Sequence, residues 1–161
     1  MPHDSRAFRS ALGHFATGVC VVTTQGPGGE AVGVTVNSFA SVSLDPPLVL
    51  WSLDRASDRF ALFMAADHFC INVLDGKAQP LSHRLSRKGE RSVAEEPCAQ
   101  GMTQLPILKE ALAHFECKVE ARHDGGDHVI FVGRVLSFDH KHDGDPLLFY
   151  RGKYRALSGE S

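Results

Sequence analysis

At 161 residues, 43% hydrophobic and 22% charged, the chain is long enough to bury one real core and has an ordinary globular mix. A net charge of -2, with no Lys/Arg cluster interleaved with aromatics, speaks against a nucleic-acid partner. The longest apolar run falls far short of a bilayer span and MPHDSRAFRS lacks a secretion-signal core, so the expectation is a soluble cytoplasmic protein with one domain over residues 1–161.

In chain order, residues 5–16 place Phe8, Leu12, Phe15 and Ala16 at helical spacing, with Asp4 or Ser5 as cap. Residues 18–25 and 30–38 read as strands joined by GPGG at 26–29, a hairpin whose Gly28 and Gly29 suit left-handed positions. These glycines are not a dinucleotide fingerprint, because no helix follows them. ASVSL at 40–44 is a short strand, Asp45-Pro46-Pro47 a corner, and LVLWSL at 48–53 a fully apolar strand. Residues 57–66 predict a helix capped by Ser57. A strand at 68–74 and a short basic helix at 79–89 follow, then a Pro-interrupted loop at 90–110. The alternation of Phe115, Cys117, Val119 and Ala121 against charged residues marks 113–123 as a half-buried strand. DGGD at 124–127 turns it into a partner strand at 128–140, and 146–157 is a last strand bent at Gly152. Strands joined by such short turns predict a mainly β, antiparallel barrel with a few flanking helices.

The four cysteines, Cys20, Cys70, Cys98 and Cys117, include no C-x-x-C pair, so buried reduced thiols are expected rather than a zinc ribbon or a redox dithiol. His140 and His142 share a strand face, but a third spaced ligand is missing, so no metal is expected. Residues 33–53 raise a different question. Their polar positions, Thr35, Asn37, Ser38, Ser41, Ser43 and Ser52, are all small and uncharged within strongly β-forming sequence.

FRSALGHFATGVCVVTT, GVTVNSFASVSLDPPLVLWSL, FCINVL, DGGDHVIFVGRV and PLLFYRGKY together resemble the flavin reductase family, with its FMN-binding split β-barrel fold. The chain is most similar to the reductase components of two-component flavin-dependent monooxygenases, from about Phe8 to Tyr154. The resemblance implies an NAD(P)H:flavin oxidoreductase that moves hydride from NADH, or NADPH, to FMN or FAD. It also implies a homodimer and a separate oxygenase that receives the reduced flavin.

On that resemblance, residues 37–41 are the main flavin segment. Asn37, Ser38 and Ser41 have the hydrogen-bonding groups for a neutral ring edge and a ribityl chain, and the backbone around Phe39 and Ala40 has room to approach. Asp54, Arg55 and Ser57 lie on the segment expected along the ribityl-phosphate end, where a helix N-terminus at Ser57 and the charge of Arg55 or Arg59 favour an anion. Arg84 and Lys88, with Arg87, form a local positive patch suited to a phosphate or an adenylate. His128 is expected to face the nicotinamide, and Tyr150, Arg151, Gly152 and Lys153 to close over it. Each segment keeps an ordinary alternative: serines on a wet strand, a capped helix, a solvated basic face, a turn histidine, a polar edge strand. Two other functions stay open, a non-catalytic flavin carrier and an oxidase with tightly held flavin.

Overall fold

The computed structural model describes residues 4–158. Its elements are α1 (Ser5–Leu12), β1 (Thr17–Gly18), β2 (Cys20–Gln25), β3 (Ala31–Val36), β4 (Ala40–Leu44), β5 (Pro47–Asp54), α2 (Phe60–Ala65), β6 (His68–Val73), α3 (Gln79–Leu85), β7 (Cys98–Gln100), β8 (Pro106–Leu108), β9 (Ala113–Gly125), β10 (His128–His140), β11 (Leu148–Tyr150) and β12 (Lys153–Arg155). A short 3-10 turn precedes α3. No helix among the described residues is long and apolar enough to cross a membrane.

Seven strands form one antiparallel sheet in the order β3-β2-β6-β9-β10-β5-β4. The long β9–β10 hairpin carries two register shifts, at Val132/Gly133 and Val135/Ser137, which bend and twist it. Gly133 is required at the first: a Cβ there would lie 2.5 Å from the Phe69 ring. The sheet coils around a core built on Trp51, which stacks on Phe131 at 4.7 Å and meets Phe63 and Phe69 edge-on at 5.1 and 5.6 Å. Burying such rings contributes about 2 kcal/mol each or more. A second cluster, with Val19, Val21, Leu85, Leu108 and Leu147, packs against the outer face. β2 is therefore buried on both sides, which accounts for the apolar Cys20–Val22 and for the burial of Thr23 and Thr24 after them. The result is an antiparallel barrel, as the strand pattern predicts, and a split one, as the resemblance implies.

Several local expectations change. α1 ends at Gly13, not residue 16, because the Gly13 carbonyl accepts the Arg151 N–H at 2.9 Å instead of extending the helix. The first strand breaks at Val19, whose N–H donates to Leu147 and whose carbonyl accepts from Leu74. The 90–110 loop contains the β7–β8 hairpin. Its strands have three residues each, too short for alternation to show. They are held by side chains distant in sequence: Asn72 Oδ1 accepts from Leu108 N–H at 2.9 Å, and Thr23 Oγ1 donates to the Pro106 carbonyl at 2.6 Å. Residues 146–157 form a two-stranded hairpin rather than one bent strand, with Arg151 and Gly152 left-handed at φ 51 and 76. The basic helix stops at Leu85 rather than Gly89. All four thiols are free, and burial pushes those of Cys20 and Cys117 up to about 12.

Candidate functional site

No ladder joins β3 to β5 among the described residues, although the two strands come close where the barrel ought to close. A cleft of about 350 Å³ occupies this split. The end of β3 (Val34 to Ser38) forms one wall, and the end of β5 with the turn after it (Ser52 to Arg59) forms the other; Ser86, Lys88 and His128 complete the lining. One side chain bridges the split: Ser38 Oγ accepts the Ser52 N–H at 2.9 Å and donates to the Ser52 carbonyl at 3.2 Å. That hydroxyl does the work of a missing backbone rung, and its proton is already given to a backbone carbonyl. Thr35 is likewise engaged, donating to the Ser82 carbonyl at 2.7 Å.

Asn37 is exposed and lines three adjoining cavities: this cleft, a neighbour of about 680 Å³ under Phe149, Lys153 and Tyr154, and a third of about 920 Å³ beside α1. The three make one groove across the end of β3. Residues 39–41 turn away from it. Phe39 stacks on Phe115 at 5.6 Å, and Ala40 and Ser41 pair with Leu50 and Val49 on β5. Ala40 and Ser41 lie on the edge strand β4 and, with Phe39, outside the cleft lining, so of these five residues Asn37 and Ser38 are the ones that line it.

The 54–59 turn is organised by its own side chains. Asp54 Oδ1 accepts from Ala56 N–H at 2.8 Å, and Ser57 Oγ accepts from Arg59 N–H at 3.2 Å. α2 begins only at Phe60, with Arg59 in the capping position. Ser57 is thus a turn residue and not the expected N-cap, and six helical residues make no phosphate cradle. Arg55 reaches the other way: it pairs with Asp124 at 2.5 Å and donates to the Gly126 carbonyl at 3.1 Å, clamping the β9–β10 turn. Its absence from the cleft corrects the expected phosphate contact. Arg59, undervalued in sequence as an exposed charge, is buried in the cleft wall. It pairs with Asp58 at 2.9 Å and donates to the Glu90 carbonyl, while its Nε has no partner. Burial pulls its guanidinium below the usual value in spite of Asp58. Burial works to raise the Asp58 carboxyl, but the Gly89 N–H at 2.7 Å and the Arg59 charge outweigh it and hold it low.

Of the basic patch, Lys88 lines the cleft and Arg84 does not. Arg84 pairs with Glu96 at 3.0 Å and donates to the Ser92 carbonyl at 2.9 Å, on the far side of α3. His128, at the start of β10, lines the cleft with Nδ1 2.7 Å from Asp127, and this contact holds the Asp127 carboxyl low. If Nδ1 carries the proton to that carboxylate, Nε2 is the acceptor left over; if Asp127 meets the imidazolium, Nε2 is a donor. Of the last segment, Arg151 lines the third cavity, Lys153 the second and Gly152 both. Tyr150 lies outside all three, edge-on to His14 at 6.5 Å and under Arg155 at 6.0 Å. Tyr154 takes the wall position instead, with its hydroxyl 2.8 Å from Ser82 Oγ. Tyr154 closes the YRGKY segment that the resemblance assigns to the nicotinamide, whereas Ser86 gave no sequence signal beyond ordinary polarity and is brought to the groove by the fold alone. His140 and His142 meet edge to face at 5.5 Å, and no group of three metal-ligating side chains forms among the described residues.

Chemically, this groove offers neutral hydrogen-bonding groups, an accessible ammonium and an imidazole to a flat, polyhydroxylated or phosphorylated ligand. Residues 12–158 match the family described as "flavin reductase like domain". An FMN reductase (NADH) from Agrobacterium fabrum is 49% identical over 155 residues, 96% of this chain and 87% of that protein. The reductase subunit of a flavin-dependent monooxygenase from Rhodococcus jostii is 40% identical over 154 residues, 96% of this chain and 78% of that protein. Among solved structures, a Streptomyces globisporus NADH:FAD oxidoreductase in complex with NAD and FAD fragments superposes with a TM-score of 0.92 at 31% identity, covering 100% of this chain and 97% of that one.

Proposed function

The chain belongs to the flavin reductase-like domain family, and on that premise we propose that its split-barrel groove brings flavin and reduced nicotinamide together. The protein is an NAD(P)H:flavin oxidoreductase that passes hydride from NADH to FMN or FAD. The reduced flavin leaves for a separate oxygenase, as the naming of related reductase subunits supports. The observation that carries the reading is the cleft in the split, lined by Asn37, Lys88 and His128 together.

The residues present fit a flavin. The cleft and its neighbour offer about 350 and 680 Å³, with small neutral groups from Thr35 to Ser38 and at Ser52 beside the charged Asp54, Asp58, Lys88 and Lys153, and a buried guanidinium with an unpartnered Nε stands in the wall. When bound, the flavin supplies the hydride acceptor, so the protein need supply no acid or base for the transfer itself. Asn37 offers both amide donors and a carbonyl acceptor to a neutral ring edge. Lys88 gives positive charge to a phosphate or to charge developing on the ring, and Arg59 adds its field from behind. His128, oriented by Asp127, is assigned to the nicotinamide carboxamide, fixing approach and not chemistry. Lys153 and Gly152 are assigned to the nicotinamide nucleotide. Asp54 and Ser57 keep the turn that shapes the cleft.

A homodimer is part of the proposal. Leu44 is 96% exposed and Phe138 66%, and Phe138 heads an apolar row that continues through the Phe138–Phe115–Phe39 stack. A second copy covering these residues is the reading that removes them from water. Residence in the cytoplasm is supported by three buried free thiols, and a single domain over 1–161 by the one sheet that wraps the core.

The test is steady-state oxidation of NADH by purified protein, followed at the nicotinamide band, with FMN or FAD added. Consumption that requires added flavin supports the reading. No flavin-dependent oxidation of either NADH or NADPH contradicts it.

A further inference from the structure

The third cavity, between α1 and the β11–β12 turn, is the largest of the three, about 920 Å³, and it is unlike the cleft in charge. Arg6 and Arg9, one turn apart on α1, line it together with Arg151 and His14. No carboxylate lines it, and none of the three arginines makes an ion pair among the described residues. The nearest acid in sequence, Asp4, is engaged as the cap of α1, accepting from Arg6 N–H at 2.9 Å. The two sides are fixed to one another: the Arg151 N–H donates to the Gly13 carbonyl at 2.9 Å, and a Cβ on Gly13 would lie 3.4 Å from the Arg151 Cα. The wall also holds Thr17, whose buried hydroxyl has no partner.

Three guanidinium groups left without carboxylates around one concavity select a multiply charged oxyanion, and their planar forks suit phosphate. The basin is continuous with the second cavity through Asn37, Phe149 and Gly152. Resting on the flavin reductase reading above, we propose that this basin binds the phosphates of the adenylate end of a dinucleotide, with Arg6, Arg9 and Arg151 as its ligands. Both dinucleotides available to such an enzyme carry that chemistry, NAD(P)H and FAD, whereas FMN does not. Arg6 and Arg9 are thereby residues that decide which nucleotides the groove accepts.

The test is calorimetric titration of ADP into the wild type and into the R6Q/R9Q double variant, which keeps good helix formers on an exposed face. ADP binds the wild type, and its affinity falls by about tenfold or more in the variant, the range for losing two solvent-screened charged contacts. A second double variant, R6K/R9K, recovers part of the affinity because charge returns without the fork. Kinetics with FMN as acceptor and fluorescence titration of FAD against FMN separate the sources: a raised KM for NADH assigns the basin to the nicotinamide dinucleotide, and weakened FAD binding with FMN unchanged assigns it to the flavin adenylate. Equal ADP affinity in wild type and R6Q/R9Q, or no ADP binding to the wild type, overturns the proposal. A wild type that binds ADP through Arg6 and Arg9 yet oxidises no NADH leaves the basin standing and removes the reductase reading.

Discussion

Arginines stand at both ends of the same groove and are used in opposite ways. Toward the cleft end, Arg59 in the wall and Arg55 and Arg84 outside the lining are each paired with a carboxylate and each donate to a backbone carbonyl. They fasten one loop to another. Among the described residues, Arg6, Arg9 and Arg151 at the α1 end have no carboxylate partner and border a cavity with no carboxylate in its wall. Proximity to a groove therefore does not identify a ligand-binding cation; its existing bonds do. Substitutions at the cleft end should cost stability, and those at the basin end should cost nucleotide affinity.

The largest effect is expected at Arg59. Removing a buried guanidinium as R59M leaves the Asp58 carboxylate and the Glu90 carbonyl without their partner, at a cost of about 3 kcal/mol in urea unfolding, against less than about 0.5 kcal/mol for R6Q. Equal losses would erase the distinction between the two ends. Next is H128A, expected to lower kcat/KM for NADH by about 10- to 100-fold while flavin affinity changes far less, because the side chain is assigned to aligning the nicotinamide. Parallel losses in flavin affinity would place His128 on the flavin instead. S38A removes the hydroxyl that bridges β3 to β5 and strands two backbone groups of Ser52, a loss of about 1–2 kcal/mol by denaturation.

A smaller effect depends on pH. Burial works to raise the Glu116 carboxyl, but the Thr103 hydroxyl and the Thr103 and Met102 amides outweigh it and hold it below its ordinary value. A carboxyl depressed in the folded state adds stability above its unfolded value, about 4.3, and loses it as pH falls through the folded one. The advantage of wild type over E116Q should therefore be full at neutral pH and shrink below about pH 4, measured by urea melts across that range. An advantage independent of pH would mean the loop is held by packing alone. Smallest is R84A, which breaks a half-exposed pair and should cost no more than about 1 kcal/mol.

What the sequence made legible follows from the range of the interactions involved. Alternation in 113–123 and the apolar run at 48–53 describe strands whose pairing is local, and the barrel follows from them. Asn37, Lys88 and His128, all named from the sequence, line the cleft from the borders of elements: Asn37 follows β3, Lys88 lies just past α3 and His128 begins β10. The bridge made by Ser38 was not legible because its partner is Ser52, fourteen residues on in a strand that the split sets opposite. Arg55 was misread because its partner is Asp124, sixty-nine residues away. The β7–β8 hairpin was invisible because Thr23, Asn72 and Glu116, from three other strands, hold it and its loop in place. Arg6 and Arg9 carried no signal of their own in the sequence; the Gly13–Arg151 contact sets their helix against the β11–β12 turn and makes them a cavity wall.

The account rests on the unclosed seam between β3 and β5 being where a flavin lies. A crystal structure of the protein with FMN tests this most directly. Ring density between residues 34–38 and 52–58, beside Lys88 and His128, is the expected result. Flavin ordered elsewhere on the barrel, with this seam left to water, would contradict it.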